Sequence, residues 1–153
     1  MSHRDPASWP RTLDDAVDAL LDRIGEDGQR KLAEMPREQL SGLHHSLGMG
    51  LRNEFGLWQG NTSLLTDCGS AKMHPDDASG VIVRAAWGKL HGQPVGDARL
   101  PNYRPLGEVM RELGPKEFYR RISPGLHEQQ VYKLMRMFFR LDFKQFKAIA
   151  ARA

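Results

Sequence analysis

The sequence predicts an all-α fold, a compact bundle of about seven short helices that ends in a long basic amphipathic helix. Two observations support this fold class. Apolar residues recur at the three- and four-residue spacing of a helical face in most segments, and no segment shows the strict apolar–polar alternation of a half-buried strand. The composition fits, since the 153 residues are 40% apolar and 27% charged, which is typical of one globular domain.

The first predicted helix starts after Thr12, whose side chain can cap it, and its apolar face repeats from Leu13 to Ile24. Two aspartates in its first turn suit the positive end of the helix dipole. A short further turn of helix is expected to hold Leu32 and Met35.

The second predicted helix has Pro36 at its first position and one apolar face that continues to Phe55. Its interior contains three glycines, and each interior glycine costs about 0.5–1 kcal/mol relative to alanine. Gly42, Gly48 and Gly50 therefore indicate close packing or a nearby ligand.

The remaining helices are predicted from residues that cap or end them. One is capped by Asn61 and ended by Gly69, one runs from Pro75 to Gly92, one from Leu106 to Gly114, one from Pro115 to Ile122, and Ser123 opens the last and longest.

The net charge of +3 hides a marked segregation of charge. Residues 1–100 carry 11 Lys and Arg against 14 Asp and Glu, whereas residues 101–153 carry 11 against 5. A Gly- and Pro-rich stretch lies between them. We therefore expect a motif-bearing helical domain at residues 1–91, a connecting loop at 92–104, and a basic helical segment at 105–153 packed on the domain.

The chain is expected to be cytoplasmic. No apolar run approaches the roughly 20 residues that span a bilayer, so we expect no transmembrane segment, and the first 15 residues are too polar for a signal peptide. The single cysteine, Cys68, excludes an intrachain disulfide and fits a reducing compartment.

The most informative polar residues lie in the stretches 44–61 and 74–79. His44, Gly48 and Arg52 are spaced by four and share one helical face, where the glycine leaves a notch between an imidazole and a guanidinium. Arg52 can hold a carboxylate or phosphate in a bidentate fork, Trp58 offers a stacking face, and amides can orient the ligand. The predicted ligand-binding residues are His44, Arg52, Asn53, Trp58, Asn61, Asp76 and Asp77.

Each of these residues also has a structural interpretation. His44 fits a hydrogen-bonded core histidine, and Arg52 fits a buried ion pair with Asp76 or Asp77. Asn61 fits a helix cap and Trp58 a core anchor. The two aspartates also suit the first turn of a helix.

The order of motifs resembles a small bacterial family known only as a domain of unknown function. The resemblance covers about residues 10–91. It rests on an H-x-S-L-G pattern at 44–48, an R-N-x-F-G-L-W-x-G-N pattern at 52–61, and an H-P-D-D-x-S pattern at 74–79. The resemblance implies no activity and no cofactor, but it groups these polar positions as one set. It does not extend to the basic segment.

Enzymatic interpretations have weaker support. His44, His45, His74, Asp76 and Asp77 could supply metal ligands, yet no H-E-x-x-H spacing fixes two of them on one face. We therefore predict no metal site, and the sequence identifies no particular cofactor. A hydrolase using His44 with Asp76 or Asp77 as acid and base is chemically feasible. No G-x-S-x-G, Walker A or G-x-G-x-x-G motif is present.

The last segment is predicted to be a basic amphipathic helix with five cations on one face and Phe and Met residues opposite. It fits a docked terminal helix, a contact with an acidic protein or subunit, nucleic-acid backbone binding, or membrane-surface binding. A break at Leu141-Asp142 would weaken the last three. The cations are Lys133, Arg136, Arg140, Lys144 and Lys147.

The leading hypothesis is a binding module whose polar pocket takes a small anionic or nucleotide-like ligand, or a polar segment of a protein partner. The alternatives are a metal- or His/Asp-dependent hydrolase, and a nucleic-acid or protein adaptor that acts through the basic helix.

Overall fold

The computed structural model describes residues 5–153, and every regular element in that range is helical. The predicted all-α class is therefore confirmed. The first four residues of the polar N-terminal stretch lie outside the described range. The α-helices are α1 (Leu13–Glu34), α2 (Met49–Glu54), α3 (Thr62–Cys68), α4 (Pro75–Leu90), α5 (Leu106–Leu113), α6 (Pro115–Ile122), α7 (Glu128–Phe139) and α8 (Phe143–Arg152).

The chain divides into two compact units, the first ending at Tyr103 and the second running from Arg104 to Ala153. Each unit has its own cluster of buried apolar side chains. Among the described helices, none is both long and apolar enough to cross a membrane.

The centre of the first unit is α4, which packs chiefly on α1. Its buried residues include Val81, Ile82 and Val83 in succession, so the helix is covered on several sides. This explains why the run of β-branched residues is helical. The helix starts at Pro75, as predicted, and ends at Leu90, two residues before the glycine expected to end it.

Helix α1 begins as predicted, with the Thr12 hydroxyl accepting a hydrogen bond from the Asp15 amide at 3.1 Å. It continues to Glu34 but is kinked at Gly25, which has φ 66° and ψ −177°. The separate short turn expected around Leu32 is therefore the second half of α1, since glycine permits this φ and the helical hydrogen bonding resumes after it.

The prediction of one regular helix from Pro36 to Phe55 is wrong in detail. It consists of a 3₁₀ helix (Arg37–Leu43), a π-helical turn (His44–Gly48) and α2. Pro36 caps the segment with extended backbone and is not its first helical residue. A π turn shifts the register of the side chains that follow it relative to a regular helix.

The stretch 92–104, expected as a connecting loop, contains a 3₁₀ helix (Val95–Ala98) and packs on the first unit. Val95 is buried in the core of that unit. The Leu100 amide donates to the Cys68 carbonyl at 2.9 Å, and the Arg99 side chain pairs with Asp67 at 3.2 Å. These contacts attach the stretch to the first unit, which ends at Tyr103.

In the second unit, the prediction of one long C-terminal helix is wrong, because the segment forms two helices. Helix α7 ends where Arg140 takes a left-handed conformation, with φ 52° and ψ 37°. Helix α8 then begins with the Asp142 carboxylate accepting from the Gln145 amide at 2.8 Å. The apolar residues of these helices form the unit's own core with α6, around Phe118 and Phe146.

Candidate functional site

Arg52 lies at the centre of the predicted site, but it is buried, with only 6% of its surface exposed. Its Nε forms an ion pair with Asp76 Oδ1, 3.1 Å away, and one terminal nitrogen donates to the Ser79 hydroxyl at 3.2 Å. The other terminal nitrogen donates to the His44 carbonyl at 3.2 Å. The guanidinium therefore ties the π-helical turn and α2 to the start of α4, and its fork is occupied by protein groups.

Gly48 lies against this network, as the notch hypothesis expected, but the space beside it holds the arginine of the same protein. A Cβ atom at Gly48 would lie 3.0 Å from an Arg52 nitrogen and 3.4 Å from the Ser79 hydroxyl. The glycine is therefore explained by the close approach of the Arg52 guanidinium.

Asp76 links the buried network to the surface, since its side chain is 37% exposed. Its Oδ2 lies 3.8 Å from His44 Nε2 and 3.6 Å from His74 Nδ1. Both distances are longer than a hydrogen bond, so neither histidine is held as the partner of an acid–base dyad. One carboxylate oxygen is anchored by Arg52, and the other lies between two imidazoles.

His74 is absent from the predicted site, yet the structure places it at the centre of the exposed part. Its Nδ1 accepts a hydrogen bond from the Asp76 amide at 3.2 Å and so caps α4. An accepting Nδ1 places the proton of the neutral ring on Nε2. The sequence signal for this capping role is the position of His74 directly before Pro75, because a proline at the first helical position marks the preceding residue as the cap.

Trp58 is exposed over 54% of its surface, so it is not the core anchor that the structural interpretation expected. Its ring meets His74 edge-on, with the ring centroids 5.3 Å apart and the planes at 90°. The turn that carries it is fixed by the buried residues Phe55 and Leu57. The indole is therefore held on a rigid turn with much of its surface open to solvent.

The two asparagines of the predicted site do not join this surface. Asn61 is buried, and its amide donates to the carbonyls of Pro10 and Phe55 at 2.9 and 2.7 Å. Its side-chain oxygen accepts from the Leu64 amide at 3.3 Å, so it caps α3. Asn53 is exposed on α2, one residue and therefore about 100° around the helix from Arg52.

Asp77 also has a partner within the protein, which no sequence pattern predicts. Its carboxylate accepts from the Tyr103 hydroxyl at 2.6 Å, and that hydroxyl accepts from the His74 amide at 3.2 Å. Burial, and then the hydrogen bond to Asp77, raise the pKa of the Tyr103 hydroxyl. The pair fastens the end of the first unit to the start of α4.

The candidate metal ligands and Cys68 are the remaining groups that carry chemistry. Within residues 5–153, no group of three His, Cys, Asp or Glu side chains is arranged to hold a metal ion. Cys68 is fully buried, and burial followed by the nearby Asp67 raises the pKa of its thiol to about 12. A thiol with such a pKa stays protonated at neutral pH and is a poor nucleophile.

The predicted stripe of cations is divided by the break after α7. Lys133 and Arg136 lie on α7, Lys144 and Lys147 lie on α8, and Arg140 occupies the break. All five are exposed. Lys147 pairs with Glu128 at 3.1 Å, whereas no carboxylate of the described residues lies within 4.0 Å of the other four.

The fold and the site define a class of protein: an all-α domain in which a buried arginine network supports a polar and aromatic surface. The family described as Domain of unknown function (DUF6794) matches residues 9–90, more than half of the chain, and the chain belongs to this family. The resemblance predicted over about residues 10–91 is thereby confirmed. No curated protein and no solved structure matches the chain.

Proposed function

We propose that the family domain is a ligand-binding module that receives a small nucleotide-like molecule on the Trp58 surface, which consists of His44, Trp58, His74 and Asp76. The observation that carries the proposal is the exposure of Trp58, which a rigid turn presents beside the capping histidine of α4. A planar ring can stack on an indole held in this way.

The polar groups of the Trp58 surface favour a ligand that presents N–H or O–H donors. Asp76 is fixed through one oxygen by Arg52, while its other oxygen lies between the rings of His44 and His74. A carboxylate accepts several hydrogen bonds, so this oxygen has capacity left for a ligand donor. The base edge of a nucleoside supplies such donors next to a planar ring.

Arg52 supports this site indirectly, and it is not the group that meets the ligand. Its fork is occupied by Asp76, Ser79 and the His44 carbonyl, so it contributes rigidity to the carboxylate. Such buried support keeps the groups of a binding site in place. We place the module in the cytoplasm, where the free thiol of Cys68 stays reduced.

The test is calorimetric titration of the full chain with adenosine, guanosine, cytidine and uridine. We expect saturable binding of at least one nucleoside, weakened at least about five-fold in Trp58→Ala and largely retained in Trp58→Phe, because stacking on an aromatic ring contributes about 1–3 kcal/mol. Gln59→Ala, at the exposed neighbouring position, is the matched control and leaves the affinity unchanged. Absence of binding by all four nucleosides, or unchanged binding by Trp58→Ala, would overturn the proposal.

A second candidate function is supported by the second unit. Lys133, Arg136, Arg140 and Lys144 are exposed and have no carboxylate of the described chain within 4.0 Å. Unpaired cations of this kind suit the phosphate backbone of a nucleic acid. Affinity for a DNA duplex should then fall steeply between about 50 and about 200 mM salt. Arg136→Gln should weaken it more than Lys147→Gln, since Lys147 is already paired.

A further inference from the structure

A second candidate site lies in the first unit and shares no residue with the Trp58 surface. It is a cleft of about 480 Å³ beside α4, and its walls come from the 3₁₀ helix after α1, from α4, and from the stretch 93–100. A volume of this size suits a small molecule. The lining residues that matter for its chemistry are Arg37, Arg84, Trp87, Gly88, Gln93 and Asp97.

We infer that this cleft binds a small molecule through an oxyanion group, a phosphate or a carboxylate, held by Arg84 and Arg37. The first argument is charge. Both side chains line the cleft, and no carboxylate of the described residues lies within 4.0 Å of either. By contrast, Arg23, Arg52 and Arg99 in the same unit each pair with a carboxylate.

The state of Arg84 shows that its charge is poorly compensated. Its side chain is half-buried, and burial, followed by the like charge of Arg37, lowers the pKa of its guanidinium, against a smaller opposite effect of Asp77. Two cations that line one cleft, one of them half-buried, repel each other unless an anion joins them. An oxyanion between them removes this repulsion and satisfies both forks.

Asp97 is the one acidic residue among the lining side chains named above, and it is exposed. It lies more than 4.0 Å from both arginines. The oxyanion is therefore expected on the arginine side of the cleft. Asp97 faces the remainder of the ligand, where it disfavours a second negative charge and favours a hydroxyl or amino group.

The walls of the cleft are fixed before any ligand arrives. The Trp87 indole donates to the Met35 carbonyl at 2.8 Å, and its ring lies against His91 with the centroids 4.0 Å apart. A Cβ atom at Gly88 would lie 3.2 Å from the Gln93 side-chain oxygen, so the glycine lets the Gln93 amide lie close to α4. An apolar wall and an amide are thus positioned next to the two guanidinium groups.

Thermal denaturation of the full chain at constant ionic strength tests the inference, with inorganic phosphate, citrate and chloride as probes. We expect a saturable rise in Tm with phosphate or with citrate and none with chloride; the responding probe identifies the oxyanion. Arg84→Gln should abolish the rise, and the exposed Arg37→Gln should weaken apparent binding at least about ten-fold, since one hydrogen bond to a charged group contributes about 1.5–3 kcal/mol.

Arg11→Gln is the matched control, because Arg11 is exposed in the same unit and is not among the residues that line the cleft. It should bind the anion as the unaltered protein does.

Without any probe, Arg84→Gln should have an unchanged or higher Tm, because it removes a repelled cation; a purely structural Arg84 would give a lower Tm. Equal responses to chloride and both oxyanions, or full binding by Arg84→Gln, would overturn the inference. Trp58→Ala should keep the anion response, which separates this site from the proposed nucleoside site.

Discussion

Arg52 shows how one residue can satisfy two interpretations of a motif. The sequence places it on a face with His44 and Gly48, and that grouping is present in the structure. The same pattern also allowed a buried ion pair with Asp76, and the structure contains that pair. The spacing alone could not distinguish them, because both need a glycine beside the guanidinium and a carboxylate opposite it.

The first prediction concerns the stability that Arg52 provides. Arg52→Ala should lower the free energy of unfolding by about 3 kcal/mol, because it leaves the Asp76 carboxylate without its ion-pair partner and a hydroxyl and a carbonyl without their donor. Urea denaturation followed by circular dichroism measures the loss. The control is Arg23→Ala, which removes the more exposed pair with Glu54 and should cost at most about 1 kcal/mol. Equal losses in the two variants would contradict a structural role for the Arg52 network.

The second prediction compares two glycines of the same segment. Gly48→Ala should destabilise the fold by about 1–3 kcal/mol, because its Cβ meets the Arg52 nitrogen at 3.0 Å. Gly42→Ala meets nothing within 4 Å and should stabilise the fold by about 0.4–1 kcal/mol through the unfolded chain. Urea denaturation of both variants gives the two signs. A stabilising Gly48→Ala would show that the space beside the guanidinium is larger than the structure has it.

The third prediction concerns Cys68 and pH. The unfolded thiol ionises near pH 8.5, whereas burial holds the pKa in the folded protein at about 12. Between these pH values the folded state binds more protons at Cys68 than the unfolded state does. The contribution of this thiol to the free energy of unfolding is therefore fully present below about pH 8.5 and falls above it, by at most about 1.4 kcal/mol per pH unit. Urea denaturation at several pH values should show the stability gap between the unaltered protein and Cys68→Ala narrowing as the pH rises. Rapid labelling of the native thiol by a disulfide reagent would contradict this burial.

Helix-capping and helix-breaking residues predicted the helix ends best. Thr12, Asn61 and Pro75 start helices as predicted, and Gly69 and Gly114 end them. Their effects are local, so the sequence contains what is needed. The stretch from Pro36 to Phe55 was mispredicted because apolar spacing cannot separate α from 3₁₀ and π geometry. There the geometry is set by distant partners such as Asp76 and Ser79, which contact Arg52.

The site was predictable to the same extent. The sequence grouped His44, Arg52 and Asp76, which contact one another in the structure, but Asn61 serves as a cap and Asp77 as the partner of Tyr103. His74 was left out because its role depends on the contact with Trp58, which is separated from it by 16 positions in the chain. The cleft at Arg84 has no compact sequence signature, since its two arginines are 47 positions apart.

The fourth prediction tests the break between α7 and α8. Arg140→Gly should stabilise the chain by about 1 kcal/mol, because it removes the steric strain that a Cβ atom causes in the left-handed conformation. Asp142→Ala should destabilise it by about 1 kcal/mol by removing the cap of α8. A continuous helix would reverse both signs, since glycine is unfavourable and alanine favourable in a helix interior. Thermal melts of the two variants, followed by circular dichroism, decide between these outcomes.

At the scale of the whole molecule, the segregation of charge along the sequence coincides with the division into units. The negative charge of residues 1–100 belongs to the first unit, which has the family domain and the cleft. The excess of cations belongs to the second unit, beyond residues 9–90. The net charge of +3 therefore describes neither unit. A partner that recognises charge will distinguish the two units.

The last prediction is that the second unit loses its structure before the first. Among the described residues, the core cluster of the first unit contains 21 buried residues and that of the second contains four, and the two clusters share none. A unit of this small size buries too little apolar surface to be more than marginally stable. Phe146→Ala removes a fully buried ring, which costs about 3–5 kcal/mol in a core. Hydrogen exchange should then show lost amide protection in residues 104–153 and retained protection in α4, whereas Phe143→Ala, at an exposed ring, leaves both protected. Simultaneous loss of protection in both units would contradict this prediction. It would show that the two units unfold together, with the small core stabilised by the larger one.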